Sequence, residues 1–433
     1  MAPLVSSMLN VKNRKETLMR LILPTILALL ALTSPVAAQL SLPGPASNLP
    51  PVGDVVNDVT GQVSSTLGQT EAALQAEARA LLRTRDRALS RLLRQNRDVI
   101  ERDREGNLAR RGELIAVGLN EPFRFALIEA GFTAIERETI EGLDITVTRL
   151  RVPEGMELAQ AQELAAELAP GVEFSPDNLH YQSGVAGEAV TALPVMLQSA
   201  ASIGVEVGVI DGAPGAAVRV LSEKGFARGA PKPSDHGSAV ASLLRNAGVA
   251  RIRVADVYGD DPAGGNALAL ARALGWLTQS GSKVVTVSLV GPRNALVERA
   301  VAEAQSRGVV VVAAVGNDGP AAPPAYPASY SGVVAVTGVD RSERALIEAG
   351  RALHLDYAAP GDRVYALDGS GRIKRWRGTS FATPLVAARI AAALGRGGNW
   401  RARTDAEARD LGARGHDDTY GRGLLCEACA KRN

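Results

Sequence analysis

The sequence predicts an α/β protein: a mostly parallel sheet with helices on both faces, preceded by a smaller α+β module. Three observations carry this reading. Short β-branched runs, Val205 to Asp211 and Val309 to Ala314 among them, are mainly apolar, as strands covered on both faces are. Residues 284–312 supply strand, helix and strand in that order, the crossover that parallel neighbours need. Upstream, residues 114–174 follow the βαββαβ order of a ferredoxin-like unit. Its elements are strand Leu114 to Leu119, helix Pro122 to Ala130, strands Ala134 to Ile140 and Leu143 to Val152, helix Leu158 to Leu168 and strand Val172 to Phe174.

The 433 residues, 46% of them hydrophobic, have room for more than one domain and a substantial core. A net charge of +2 gives no argument for a nucleic-acid partner, and none is expected. Lys12, Arg14, Lys15 and Arg20 precede an apolar stretch from Leu21 to Leu32, and Val36-Ala37-Ala38 supplies small residues. This pattern predicts a signal peptide over 1–38, cleaved after Ala38, and an exported protein, secreted or periplasmic, with no membrane span after cleavage. Residues 39–65 read as a linker rich in Pro, Gly, Ser and Asn.

An Arg-rich helical segment follows over 66–110. Leu67, Leu74, Leu81, Leu82, Leu89, Leu92, Leu93 and Ile100 recur at helix spacing, and Arg79, Arg83, Arg85, Arg87, Arg91, Arg94 and Arg97 fill the other faces. Such a face suits an acidic partner or membrane surface, but the plainer reading is a solvated face whose apolar stripe packs elsewhere. The small module then covers 111–181, the larger α/β domain 182–426 and a tail 427–433. Cys426 and Cys429 sit in Cys-Glu-Ala-Cys, either as a local disulfide or as two free thiols.

The chemistry centres on Gly378-Thr379-Ser380-Phe381-Ala382-Thr383-Pro384, where a loop becomes a mostly apolar helix. Alone, a serine there reads as an N-cap. It also suits a nucleophile, because N–H groups at a helix start stabilise negative charge. Of the four histidines, His180, His236, His354 and His416, only His236 lies in a Gly-containing turn opening an apolar helix. Asp211 ends a β-branched run and precedes Gly212, at the strand edge where open parallel sheets place their sites. Each has a bland alternative, Asp211-Gly212 as a turn and His236 as a cap. The three together point to a relay.

Val209-Ile210-Asp211-Gly212, His236-Gly237-Ser238-Ala239-Val240-Ala241 and Gly378 to Pro384 resemble the motifs of the subtilisin-like serine peptidases. Val309 to Gly319, with Gly316-Asn317-Asp318-Gly319 at its end, matches a fourth, and the likeness spans about residues 200–426. Gly212 stands where that family usually has Ser or Thr, and Ser238 and Ala239 where Thr and His are common. The resemblance implies a serine endopeptidase of peptides and proteins, with Ser380 as nucleophile, His236 as base, Asp211 as its partner and Asn317 as oxyanion donor. It implies that Ser288, Leu289, Val290 and Gly291 pair with substrate backbone and that Ala314, Val315 and Gly316 line the first specificity pocket. Those small, neutral walls suggest an apolar or aromatic residue before the scissile bond.

The small module resembles the family's propeptide, an intramolecular inhibitor. Its tail would be Asn178-Leu179-His180-Tyr181, with self-cleavage near Tyr181–Gln182. Asp260-Asp261 reads as a solvated loop. Calcium is common in the family, but the short Asp211-to-His236 connection leaves little room for a metal loop, so no cofactor or required metal is expected. The rival reading is a binding protein that keeps the cleft without turnover.

Overall fold

The computed structural model describes residues 40–41, 71–183, 185–189 and 202–426. The expected signal peptide, most of the linker and the tail lie outside these. β1 (Leu40–Ser41) falls within the expected linker, and α1 (Glu71–Gln95) is the Arg-rich helix. Asn96 ends it, its side-chain N–H donating back to Leu92 O at 3.0 Å. Ile100, placed in the helical stripe by its spacing, instead lies fully buried in β2 (Ile100–Arg102). The adjacent β-branched pair Val99-Ile100 favours a strand once the helix has stopped.

The module is built from β3 (Leu108–Val117), α2 (Glu121–Glu129), β4 (Thr133–Ile140), β5 (Ile145–Arg151), α3 (Leu158–Leu168) and β6 (Glu173–Asn178). β3 pairs antiparallel with β2, β5 and β6, and β5 with β4. The alternation along β3 explains why its sequence reads as an apolar run. Leu114 and Ala116 face α2 and α3 with Leu127, Leu158 and Ala161, while Ile115 and Val117 face the larger domain. The last strand runs to Asn178, beyond Phe174, because Pro176, Asp177 and Asn178 find partners in the larger domain.

The chain continues through β7 (Tyr181–Ser183), β8 (Val185–Ala189), β9 (Val207–Asp211), β10 (Ser222–Gly225), α4 (Asp235–Asn246), β11 (Ile252–Asp256) and α5 (Ala267–Gln279). Then come β12 (Val284–Val287), β13 (Leu289–Val290), α6 (Ala295–Ser306), β14 (Val310–Ala314), β15 (Val334–Val339) and β16 (Tyr357–Pro360). β17 (Val364–Leu367), β18 (Ile373–Arg377), α7 (Thr379–Gly395) and α8 (Trp400–Glu407) follow.

Seven strands form one parallel sheet in the order β10-β11-β9-β12-β14-β15-β16. Val207, Val209, Val284 and Val312 point to α4 and α7, while Ile210, Val285 and Val311 point to α5 and α6. Both faces are covered by the domain's own helices, as the apolar strands require. Two small antiparallel sheets, β1-β7-β13 and β17-β18-β8, flank the carboxyl edge. β7 crosses the 181/182 boundary read from the sequence: it belongs to a sheet of the larger domain. Cys426 is disulfide-bonded, so the free-thiol alternative does not hold for it. Among the described residues no helix is long and apolar enough to cross a membrane, and no group of three or more His, Cys, Asp or Glu could hold a metal.

Candidate active site

Asp211, the last residue of β9, is fully buried at the sheet's carboxyl edge. Its Oδ2 lies 2.8 Å from His236 Nδ1, and its Oδ1 accepts from Gly212 N at 2.7 Å. A carboxylate held by these bonds fixes the imidazole orientation and places the proton on Nδ1. His236 is the second residue of α4, whose N-cap is Ser234; the Ser234 hydroxyl accepts from Gly237 N at 3.0 Å. Phe381 packs against the His236 ring with centroids 5.2 Å apart, and Trp376 backs Phe381.

The departures beside these groups have a local account. A Cβ on Gly212 would stand 2.8 Å from Ser234 Cβ, so Ser234 fills the space a side chain at 212 would need. Ser238 Oγ donates to Ser234 O at 2.6 Å and accepts from Gly215 N at 2.8 Å, tying the helix start to the loop after β9.

Ser380 is not a cap. Gly378 holds the N-cap position with φ +136°, where a side chain would be strained, and Ser380 is the second helical residue. Pro384 lies past the first turn rather than within it. Its missing N–H leaves the carbonyl of Ser380, four residues back, without a helical donor. Ser288 Oγ takes that role, donating to Ser380 O at 2.9 Å, while Ser380 Oγ donates to Ser288 O at 3.1 Å. The proline therefore locks the serine to the end of β12 and the start of β13.

Asn317 follows β14 in the Gly316-Asn317-Asp318-Gly319 turn. Its Oδ1 accepts from Thr379 N at 3.0 Å, which fixes the amide, and its buried Nδ2 has no hydrogen-bond partner. A buried unpaired donor is costly, and an oxyanion formed at the start of α7 would be its natural partner. Thr379 Oγ1 and Gly350 N both donate to Gly316 O, at 3.1 Å and 2.8 Å, holding the turn and the Ala314-Val315-Gly316 wall.

The chain itself pairs with the edge of β13. β7 pairs antiparallel with β13, Val290 facing Tyr181 and Leu289 facing Gln182, and β1 pairs with the other edge of β7. Of the four residues expected to bind substrate backbone, Leu289 and Val290 pair with β7, while Gly291 N and O pair with Tyr326. Tyr181 faces Val290, two residues from Ser288, with its ring buried among Leu89, Leu92 and Leu179. Asp261 is not a solvated loop residue. It is buried and its Oδ2 pairs with Arg110 Nη2 at 2.6 Å, whereas its neighbour Asp260 is exposed and pairs with Arg228.

Four contributors escaped the sequence reading. Gln182 donates from Nε2 to Asp211 Oδ1 at 2.7 Å; Ser234 fills the Gly212 gap; Phe381 backs the imidazole; Arg85 of α1 donates from Nε to Asp318 Oδ2 at 2.9 Å. Only Ser234, three residues before Gly237 at a helix start, carried a local signal.

Comparison with known proteins gives the family. Residues 219–416 match the peptidase S8 model of the Subtilase family. Subtilisin DY of Bacillus licheniformis is 32% identical over 207 residues, 46% of this chain and 73% of that protein. Subtilisin BL of Lederbergia lenta is 32% identical over 226 residues, covering 48% and 82%. Thermitase of Thermoactinomyces vulgaris is 34% identical over 155 residues, covering 36% and 54%. Fervidolysin from Fervidobacterium pennivorans, a keratinolytic enzyme related to subtilisin, shares the fold with a TM-score of 0.61 at 16% identity, over 75% of this chain and 61% of that one.

Proposed function

This chain belongs to the subtilase family and is a serine endopeptidase; from that premise we propose that it works by a Ser380-His236-Asp211 relay and is exported as a precursor. Ser380 Oγ leaves the Ser288 carbonyl to attack a peptide carbonyl while His236 Nε2 takes its proton. His236 returns the proton to the leaving amine, and Asp211 stabilises the imidazolium formed meanwhile. The acyl-enzyme is then hydrolysed by water along the same path. Asn317 Nδ2 and the Ser380 N–H supply donors for the oxyanion. Losing the Asn317 donor lowers turnover by about 10²–10³, a magnitude that comes from a subtilisin.

One observation carries this reading: the buried Asp211–His236 pair and the unpaired Asn317 Nδ2 converge on the start of α7, where Ser380 stands. The rival, a cleft without turnover, drew on the unusual neighbours of His236, Ser238 and Ala239. It loses ground because Ser234 and Ser238 supply the packing and hydrogen bonds at the two altered hydroxyl positions.

Export rests on the basic and apolar pattern of the first 38 residues. The module, whose tail fills the cleft as a strand on β13, acts as an intramolecular inhibitor that self-cleavage releases. Labelling by a fluorophosphonate, compared between the wild type and Ser380→Ala, tests the reading. Label on the wild type alone is expected, because only an intact Ser380 can carry it. A matured wild type that takes no Ser380-dependent label would refute it.

A further inference from the structure

We infer that the bond this enzyme cuts in its own chain is Ser183–Gly184, so that its site receives a serine immediately before the cut and a neutral ring three residues earlier. The inference deepens the peptidase reading and rests on it.

The antiparallel ladder sets the register. With Val290 facing Tyr181 and Leu289 facing Gln182, the next pair is Ser288 and Ser183. Ser380 Oγ lies 3.1 Å from Ser288 O. Directly opposed residues sit about 5 Å apart, so the Ser183 carbonyl is the one beside the nucleophile. The Tyr181 carbonyl lies two residues, roughly 7 Å, further along the strand.

The other side of the bond is anchored independently. β8 pairs with β18, and Val185 faces Arg377, the residue just before Gly378-Thr379-Ser380. The chain is therefore held on β13 up to Ser183 and on β18 from Val185, with the serine between the two ladders. Gln182, one residue before Ser183, bonds Asp211 and so stands over the relay.

Moving Tyr181 to the nucleophile would need a slip of two residues, which keeps side chains on their faces but unseats every anchor. Leu179 N donates to Leu108 O at 2.9 Å, His180 N to Gly265 O at 2.8 Å, and Tyr258 Oη to His180 O at 2.9 Å. The His180 side chain is fully buried, and both ring nitrogens lack partners. A Cβ on Gly291 would stand 2.5 Å from its Cδ2, so the pocket is shaped by glycine to take a flat ring. Gly265 and Tyr258 meet the His180 backbone carbonyl on the other side.

In the step itself, Ser380 Oγ adds to the Ser183 carbonyl carbon and its proton passes through His236 to the Gly184 nitrogen as the C–N bond breaks. Water then hydrolyses the Ser183 ester, leaving a Ser183 carboxylate on the module and an amino terminus at Gly184.

Terminal sequencing and intact mass of the full chain after maturation read the cut directly. A new terminus at Gly184 is expected in the wild type and none in Ser380→Ala. The matured enzyme is also given peptides of sequence LHYQSGVA, LFYQSGVA and LKYQSGVA. Cleavage between S and G is expected in the first two at similar kcat/KM. The third should be at least ~10-fold slower, because its ammonium would be buried unpaired. A chain labelled at Ser380 yet uncut, or cut at Tyr181–Gln182 or any other bond, overturns the inference and leaves the peptidase reading intact. Absence of any Ser380-dependent label removes the peptidase reading instead.

Discussion

The module and the larger domain are both layered α/β structures, yet they bury their sheets differently. The seven-stranded sheet is covered on both faces by helices of its own domain, α4 and α7 on one side, α5 and α6 on the other. The module covers one face with α2 and α3 and leaves the other to α5 and α6 of its neighbour. A domain that closes its own core keeps its stability when alone; a sheet with one borrowed face exposes apolar surface as soon as it leaves. The difference suits the proposed roles, a lasting enzyme and a module that leaves it.

The sharpest test of this contrast compares two faces of one sheet. Leu114→Ala empties the module's own core and should cost about 3–4 kcal/mol of module stability, read as faster hydrogen exchange across β3 and β5. Val147→Ala, on the borrowed face, should spare that exchange once the module is released but weaken its inhibition of the matured enzyme. Equal effects of the two on the released module would break the comparison.

Arg110 gives the next largest effect. It lies between Asp177 Oδ2 at 3.5 Å and Asp261 Oδ2 at 2.6 Å, joining the module's last strand to the loop after β11. Arg110→Ala leaves two buried carboxylates without their cation and should weaken inhibition by about 2–3 kcal/mol, below the loss for a fully buried pair because the guanidinium is partly exposed. Adding Asp261→Asn should recover part of that loss in a double-mutant cycle.

Acidity acts on the same tail in two directions. Burial holds the His180 imidazole down at about 4 from its ordinary 6.5, so its contribution to docking is present above 6.5 and is lost as pH falls toward 4. Burial pushes the Asp177 carboxyl up to about 6, against the pull of Arg110; its contribution is present below its ordinary 3.8 and is lost as pH rises through 6. The two oppose each other between pH 4 and 6. His180→Phe should unmask Asp177, so that inhibition by the module tightens roughly tenfold or more as pH falls from 6 to 4. An inhibition constant equally flat in wild type and variant would remove this account.

The smallest effect expected is at α1. Arg85 pairs with Asp318 beside Asn317, and the Leu81 side chain packs at Gly319. The Arg-rich helix thus rests on the turn that carries Asn317, over the buried Tyr181. Arg85→Ala should loosen it by about 1 kcal/mol, since both partners are partly exposed, and raise the residual activity of the uncut chain several-fold. The cut, matured enzyme should be unchanged by it. No change in the uncut chain would show that α1 packs without contributing to latency.

Most of the fold was legible because it depends on local pattern. Apolar β-branched strands, the βαββαβ order and the helix Leu158–Leu168 are written in periodicity, and Asp211, His236, Asn317 and Ser380 in short motifs at element ends. The misreadings share a cause, a partner far away in sequence. Asp261 looks like a loop carboxylate until Arg110 is brought to it, and Ile100 looks helical until β3 offers a ladder.

The sequence by itself determined most of the elements and the short motifs that carry Asp211, His236, Asn317 and Ser380. Only the tertiary structure decided the register of β7 on β13 and what covers the module's second face. Periodicity reports which side of an element is buried, because that is a property of one segment. Register and partner are properties of two segments at once, fixed here by bonds such as those of His180 and Gln182 that no single stretch of chain encodes.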